Sequence, residues 1–466
     1  MTRTIEINPV TRIEGHAKVH LEIGDDNKVL SASLHVLEFR GFERFLQGMQ
    51  VELMPTITTR ICGTCPHAHH LVSAKTVDAV FSAPPPRAAL LQRELLNAGS
   101  YIHSHAIHFF ALAGPDLFLG LGAPAAQRNL VGLLAAAPDL AKKALRLRTI
   151  GQRIAEIVGG RGTHPVAAVA GGMASPLHAD TRARLKELAT EALEISRVAV
   201  AEGKRAIAKN TDLVGLFPLA TCNMGTVRDG SLQLYDGVIR TRRSDGTVAA
   251  EFAAPDYRKF LFEEALPFSY AKQVFFRDPG GSPTGYRVGA LARLNACDKL
   301  ETPLAQAEFE QFKKKCGHPC HYTVMSHWAR LIELLHCAER AVELLKDDEM
   351  TSDNVRAKPG APKSAIAHIE APRGVLIHDY TVDNNGIVQA VNLIVATQHN
   401  MSAINATVQA AAQHFWGKPD DVLLNGVEFA IRCYDPCLSC STHQVGKMPL
   451  EVTLTHQGQV LRQVRR

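Results

Sequence analysis

The chain has 466 residues, 46% of them hydrophobic and 21% charged, the composition of an ordinary globular protein with room for a sizeable core. Its 51 Lys and Arg exceed its 46 Asp and Glu by five, spread along the chain with no basic block that could track a phosphate backbone, so no nucleic-acid partner is expected. There is no run of about 18 apolar residues and hence no expected membrane span, and the opening MTRTIEINPVTRIEGH carries neither an apolar signal region nor a twin-arginine pair, so a cytoplasmic location is expected.

The first 37 residues read as β, with runs at 17–23 and 29–37 separated by the turn signal Gly24-Asp25-Asp26-Asn27. One or two helical turns follow at 41–48. The pair Cys62 and Cys65, in RICGTCPHAHH, leads into a predicted helix over about 67–81, which Pro84-Pro85-Pro86 ends. Helical patterns continue over 87–113, in two pieces within 125–158, and over 181–209, where apolar positions recur at helical spacing. The apolar stretch 130–137 is too short to span a bilayer and reads as a buried helix. Residues 227–252 read as short strands around Ser244-Asp245-Gly246. The Gly- and Pro-rich stretch 267–295 is expected to be irregular. A long helix is predicted over 324–345. A hairpin is predicted from 374–382 and 387–397 around Asp383-Asn384-Asn385-Gly386, followed by a helix over 400–415. A further hairpin, 450–455 with 460–464, closes the chain. No internal repeat or linker appears. The pattern predicts one α+β unit, a central bundle of long helices with β-hairpins at both chain ends.

Ten cysteines occur, at 62, 65, 222, 297, 316, 320, 337, 433, 437 and 440. In a large chain without an export signal, paired cysteines point to metal binding or catalysis more often than to disulfides. Two CxxC pairs stand out, Cys62/Cys65 near the start and Cys437/Cys440 near the end. Each offers two soft thiolates about one turn apart, a spacing that lets both reach one metal. Spacing alone leaves a zinc site, another metal centre and unrelated thiols all open. Cys316-Gly-His-Pro-Cys320 could be a metal half-site but reads as ordinary thiols. Cys222, Cys297, Cys337 and Cys433 read as packing residues.

The flanking sequences add a resemblance. RICGTCPHAHH and YDPCLSCSTH resemble the paired signatures of nickel–iron hydrogenase large subunits. PVTRIEGHAKV, EFRGFERFLQG, YRVGALARLN, EAPRG and VNLIVATQHN match the same family in order. The resemblance spans residues 9–443 and is strongest to the soluble, bidirectional group that works with NAD or similar carriers. It implies the large-subunit fold over 1–443 and the heterolytic cleavage of dihydrogen. It also implies that 444–466 is a C-terminal extension removed after His443 by a maturation protease, once chaperones have inserted nickel. Gln444 departs from the small or aliphatic residue more usual there.

Carried over residue by residue, the resemblance makes Cys62 and Cys437 terminal nickel ligands. Cys65 and Cys440 would bridge nickel to an iron that carries carbon monoxide and cyanide. Glu14 would carry away the proton left on a thiolate, that of Cys437, with a salt bridge to Arg12 as its plainer alternative. Arg373 would donate to a cyanide, Pro372 and Thr397 would complete that pocket, and Asp116 and Asp435 would hold Arg373 in place. His69 would hydrogen-bond near a bridging sulfur. Glu43, His443 and the carbonyl of Leu393 would bind magnesium. His67 and His70 carry no expected role. No further cysteine set could hold an iron–sulfur cluster, so a separate iron–sulfur small subunit is expected, with diaphorase subunits beyond it. The carrier could be NAD, NADP or a heterodisulfide-linked partner. Two readings compete: a non-catalytic relative like the quinone-site subunit of complex I, which lacks the cysteines, and a zinc-stabilised scaffold.

Overall fold

Four long helices close a ring at the centre of the molecule. Arg87–Ala106 packs on Pro138–Gly159, which packs on Ala179–Lys209; that helix packs on Ser326–Leu344, which returns to Arg87–Ala106. Each outer helix owes its place to one apolar stripe. Leu147, Ile150 and Ile154 face inward on one, and Leu185, Ala189, Ala192 and Ala199 on another. Ser326–Leu344 is buried on nearly every side, which is why its charged residues Arg330, Glu333 and Glu339 lie inside the protein. The computed structural model describes residues 3–442, 451–456 and 459–465.

Sheets flank the ring. The N-terminal strands Arg3–Ile7, Ala17–Ile23 and Val29–Val36 form an antiparallel sheet in sequential order, and its last strand packs against helix Met401–Phe415. A second three-stranded sheet joins Ala365–Ala371, Gly374–Val382 and Val388–Ile394. Helix Pro66–Val80 lies on its first strand. Cys222–Arg228, Val238–Arg242 and Val248–Phe252 form the body of a mixed sheet, with Tyr286–Arg287 added in parallel. Near the end of the chain, Glu451–His456 pairs with Gln459–Arg465.

The α+β architecture with a central helix bundle is as the sequence predicts. Four local differences follow from tertiary packing. The stretch 267–295 is not wholly irregular: it contains strand Gln273–Phe276 and helix Ala290–Ala296, the latter entirely buried. Helix Pro303–Cys316 hides its apolar stripe, Ala305, Phe309 and Phe312, among charged residues. Asp420–Arg432 is also a helix, with Gly426 in its interior where Phe415 leaves no space for a side chain. Finally, Gly374–Val382 pairs on both sides, so the hairpin around Gly386 is part of a three-stranded sheet.

The crossing of Arg87–Ala106 on Pro138–Gly159 depends on small residues. A Cβ at Gly151 would sit 2.4 Å from the backbone nitrogen of His103 and 2.7 Å from the carbonyl of Gly99. Backbone cannot yield as a flexible side chain can, so Gly151→Ala should destabilise the protein by about 1–3 kcal/mol. At Gly122 a Cβ would meet nothing within 4 Å, and Gly122→Ala should leave stability nearly unchanged. Chemical denaturation of the two variants in parallel measures the difference.

A candidate metal centre joining the two ends of the chain

The segment carrying the second cysteine pair is drawn onto the N-terminal part of the chain by backbone and side-chain contacts. Glu14 forms a parallel β-bridge with Cys437, and its carbonyl accepts the N–H of Leu438 at 3.1 Å. Gly15 makes this approach possible: it has φ +83°, and a Cβ there would meet the Cβ of Leu438 at 2.8 Å. Arg40 N–H donates to the carbonyl of Thr442, and Arg432 donates to the carbonyl of Thr11. The first CxxC pair ends at the start of helix Pro66–Val80, with Cys65 as the residue before its first turn. The second lies where the chain leaves helix Asp420–Arg432 and enters the short turn Ser439–Ser441.

As a result, the Sγ atoms of Cys62, Cys65, Cys437 and Cys440 all lie within 4.8 Å of one another, and all four residues are buried. Cys62 and Cys437 are 3.1 Å apart, Cys65 and Cys440 3.2 Å, and Cys437 and Cys440 3.1 Å. Among the described residues this is the one group of three or more Cys, His, Asp or Glu placed to hold a metal. Among the described residues Cys316 and Cys320 belong to no group of three or more such residues.

Four thiols cannot all ionise in so small a buried space. Burial raises the pKa of Cys62, but hydrogen bonds from the other three thiols and the charge of Arg373 outweigh it and hold this thiol well below its usual range. The N–H groups of Thr64 and Cys65 also donate to its sulfur, each at 3.3 Å. Burial and the neighbouring sulfurs push Cys437 and Cys440 well above the usual range. Metal cations supply the positive charge that lets the whole set ionise. A buried, closely packed set of soft thiolates suits nickel and iron.

Arg373 faces the cluster from a tight hairpin. Ala371 pairs with Gly374, so Pro372 and Arg373 form a two-residue loop between strands. Gly374, at φ +137°, lies against Val288, where a Cβ would come within 2.3 Å of Cγ2. The guanidinium of Arg373 is buried. It donates to the carbonyl of Asp435 at 2.9 Å, to Asp435 Oδ1 at 3.0 Å and to Ser104 Oγ at 3.4 Å. Burial opposes its charge, but Asp435 and the cluster sulfurs raise its pKa well above the usual value. A small cavity lies between Arg373 and the sulfurs of Cys65, Cys437 and Cys440, with Ala371, Thr397 and His69 also on its walls. The Thr397 hydroxyl accepts the N–H of Cys437 at 2.8 Å. His69 Nε2 is 3.4 Å from Cys440 Sγ, and its Nδ1 is 3.3 Å from His378 Nε2.

Asp116 lies elsewhere, and the expectation that it holds Arg373 is corrected. Its carboxylate pairs with Arg12 at 2.5 Å, Arg128 at 3.1 Å and Arg432 at 2.9 Å. The residue that meets Arg373 from the helix bundle is Ser104, one turn before the π-wound stretch Ile107–Ala113 that continues helix Arg87–Ala106. No motif in the sequence marks Ser104. The same ion pairs remove the plainer reading of Glu14: Arg12 is taken by Asp116, and Glu14 Oε2 accepts the N–H of Ser439 at 3.1 Å. Glu43 lies against Leu393, whose N–H donates to its carboxylate at 2.7 Å. His443 and the start of the tail lie outside the described residues.

Fold and site together define an α+β metalloprotein with a buried, all-cysteine centre where distant parts of the chain meet. A family model described as nickel-dependent hydrogenase matches residues 40–128 and 244–443, and one described as HoxL-like matches residues 4–39. A vhc-type F420-non-reducing hydrogenase chain of Methanococcus voltae is 40% identical over 98% of this chain and 99% of its own length. The NAD-reducing hydrogenase HoxS subunit beta of Cupriavidus necator is 36% identical over 97% of both chains. A crystal structure of an NAD+-reducing nickel–iron hydrogenase in its H2-reduced state superposes with a TM-score of 0.91 at 39% identity, over 95% of this chain and 99% of that one. The chain belongs to the nickel-dependent hydrogenase family and is the catalytic large subunit of a nickel–iron hydrogenase. The four cysteines set it apart from the complex I-like reading, and the family match sets it apart from the zinc-scaffold one.

The corrected place of Asp116 has a measurable consequence. Asp116→Ala would leave Arg12, Arg128 and Arg432 close together without their shared counter-ion. Loss of one partner of a buried ion pair costs about 3–5 kcal/mol. The variant should lose stability on that order in denaturant unfolding, while a crystal structure of it should still show Arg373 on Asp435 and Ser104.

Proposed function

We propose that this chain cleaves and forms dihydrogen reversibly, with Cys62 and Cys437 as terminal nickel ligands and Cys65 and Cys440 as bridges to an iron carrying carbon monoxide and cyanide. Bound there, the two metals supply the Lewis acidity that polarises dihydrogen. The cavity between Arg373, Thr397 and the sulfurs of Cys65, Cys437 and Cys440 would give the small ligands of the iron room beside the cluster. Arg373 is a fixed charged donor for a cyanide, and Asp435 keeps it aimed. Pro372 stiffens the loop that carries it. His69 tunes a bridging sulfur through its hydrogen bond to Cys440.

Proton movement belongs to the chain itself. The Cys437 thiolate takes one proton of dihydrogen, and Glu14 accepts it and passes it outward. The observation that carries this reading is the convergence of four thiols with Glu14 bridged to the Cys437 backbone. Glu43, the carbonyl of Leu393 and His443 would hold magnesium, a hard cation that oxygen ligands suit.

Electrons leave through another subunit. Among the described residues no second cysteine cluster exists that could hold an iron–sulfur centre. An iron–sulfur small subunit therefore receives them, and diaphorase subunits carry them to NAD or NADP. The NAD-reducing relative supports this route, with a heterodisulfide-linked acceptor as the alternative; the names of the F420-non-reducing relatives specify no acceptor. The chain acts in the cytoplasm, and among the described residues no helix is long and apolar enough to cross a membrane. Residues 1–443 form the mature subunit, and 444–466 are removed by a maturation protease after nickel-insertion chaperones have loaded the site.

The purified enzyme should contain nickel and iron in about equal amounts and reduce NAD or NADP under hydrogen; zinc alone would overturn the proposal. Cys437→Ser should abolish turnover. Glu14→Gln should keep both metals but lower hydrogen oxidation by about 10²–10⁴-fold, the usual contribution of a positioned acid–base group. Retained wild-type rates in Glu14→Gln would exclude it from the proton route. Intact mass of the active enzyme should end at His443.

A further inference from the structure

Arg373 has a second support, behind its loop. Arg293, on helix Ala290–Ala296, is fully buried and uses all five of its N–H donors. Nε and Nη2 grip Glu333 at 2.6 and 2.7 Å. Nη1 donates to Glu370 Oε2 at 2.8 Å and to the carbonyl of Ala371 at 2.9 Å. Nη2 also donates to the carbonyl of Pro372 at 2.8 Å. One guanidinium thus holds three consecutive residues, 370 to 372, immediately before Arg373.

The grip is anchored to the rest of the fold. Glu333 comes from the central helix Ser326–Leu344 and also meets His105 Nε2 at 2.9 Å. Glu370 Oε1 accepts from both the N–H and the hydroxyl of Thr226, at 2.8 and 3.0 Å. The guanidinium lies over the ring of Tyr101, 5.4 Å from its centre. Strand Cys222–Arg228 approaches Arg293 closely at Gly225, where a Cβ would be 3.0 Å from the Arg293 Cα, tighter than ordinary packing. Gly289, which begins the same helix, abuts the carbonyl of Arg373; a Cβ there would be 3.1 Å from it. Helix, strand and loop are therefore fixed to one another on both sides of the hairpin tip.

We propose that Arg293 is the positioning residue that sets where Arg373 sits over the metal centre, by clamping the Ala371 and Pro372 carbonyls to the helix bundle through Glu333. This rests on the proposed role of Arg373 toward a cyanide ligand. The clamp needs a planar fork with five donors. Lysine keeps the charge but has one nitrogen and three donors, so it cannot span a carboxylate and two carbonyls together. Without the clamp, the loop is free to shift by a fraction of an ångström, and Arg373 with it. A displacement of about 1 Å in a positioning group can cost on the order of 10²-fold in rate.

The test is Arg293→Lys in the holoenzyme, read by nickel and iron content, by the infrared bands of the cyanide ligands, and by kcat and KM for hydrogen. The expected result is normal metal content, cyanide bands moved from their wild-type positions, and kcat lowered between about tenfold and a hundredfold at unchanged KM. Wild-type bands and kcat in a fully loaded Arg293→Lys enzyme would overturn the proposal. If that variant does not accumulate with both metals, Glu370→Gln replaces it, since it keeps the side-chain volume but weakens the clamp on the strand before Arg373. The same bands should then move by less, and unmoved bands would overturn the proposal. Wild-type enzyme without cyanide bands would instead sink the cyanide role of Arg373, a separate failure.

Discussion

Four sulfur atoms held within 4.8 Å of one another and shut away from water are a charge problem before they are a catalyst. A thiolate in that space is destabilised by burial and by each neighbouring thiolate. Much of the surrounding structure answers that problem. Backbone N–H groups of Thr64 and Cys65 point at Cys62, and the buried Arg373 adds a fixed positive charge. Metal cations complete the neutralisation. The centre is thus both the reactive part of the protein and the tie between its two ends.

The same balancing of charge extends outward in layers. Arg373 is paired with Asp435, and the loop that bears it is clamped by Arg293, which is paired with Glu333 and Glu370. Asp116 gathers Arg12, Arg128 and Arg432 on the far side of the chain-end junction. Buried ion pairs of this kind contribute little net stability compared with apolar packing. Their value here is positional: each fixes a backbone segment that presents a side chain to the centre. The central helix Ser326–Leu344 serves this arrangement by carrying Glu333 into the interior, where surrounding helices exclude water.

Glycine sets the closeness of these approaches at two points. Gly15 lets the Glu14 segment lie on the Cys437 segment, and Gly374 lets the Arg373 hairpin lie on Val288. Both adopt positive φ angles, and both leave no space for a Cβ. The motifs TRIEGH and EAPRG are therefore backbone instructions as much as carriers of Glu14 and Arg373. Glu14 and Arg373 are each placed by the glycine that follows them.

The long helices, the hairpins and the four cysteines were legible in the sequence, because periodicity and CxxC spacing are local properties. Resemblance to ordered motifs named the family and most of the residues now found around the centre. What spacing could not supply was which polar group meets which across distant segments. Asp116 was expected on Arg373, but the guanidiniums of Arg12, Arg128 and Arg432 hold it, and Ser104 occupies the contact instead. Helix Ala290–Ala296 was hidden in a Gly- and Pro-rich stretch, and its Arg293 gains meaning only against Glu333, Glu370 and the loop before Arg373. The sequence by itself determined the main helical frame, which follows from short-range pattern, and the candidate ligand cysteines, which follow from ordered motifs shared with the family. Only the tertiary structure decided the pairing of buried charges, because that depends on which segments the packed core brings within about 3 Å of one another.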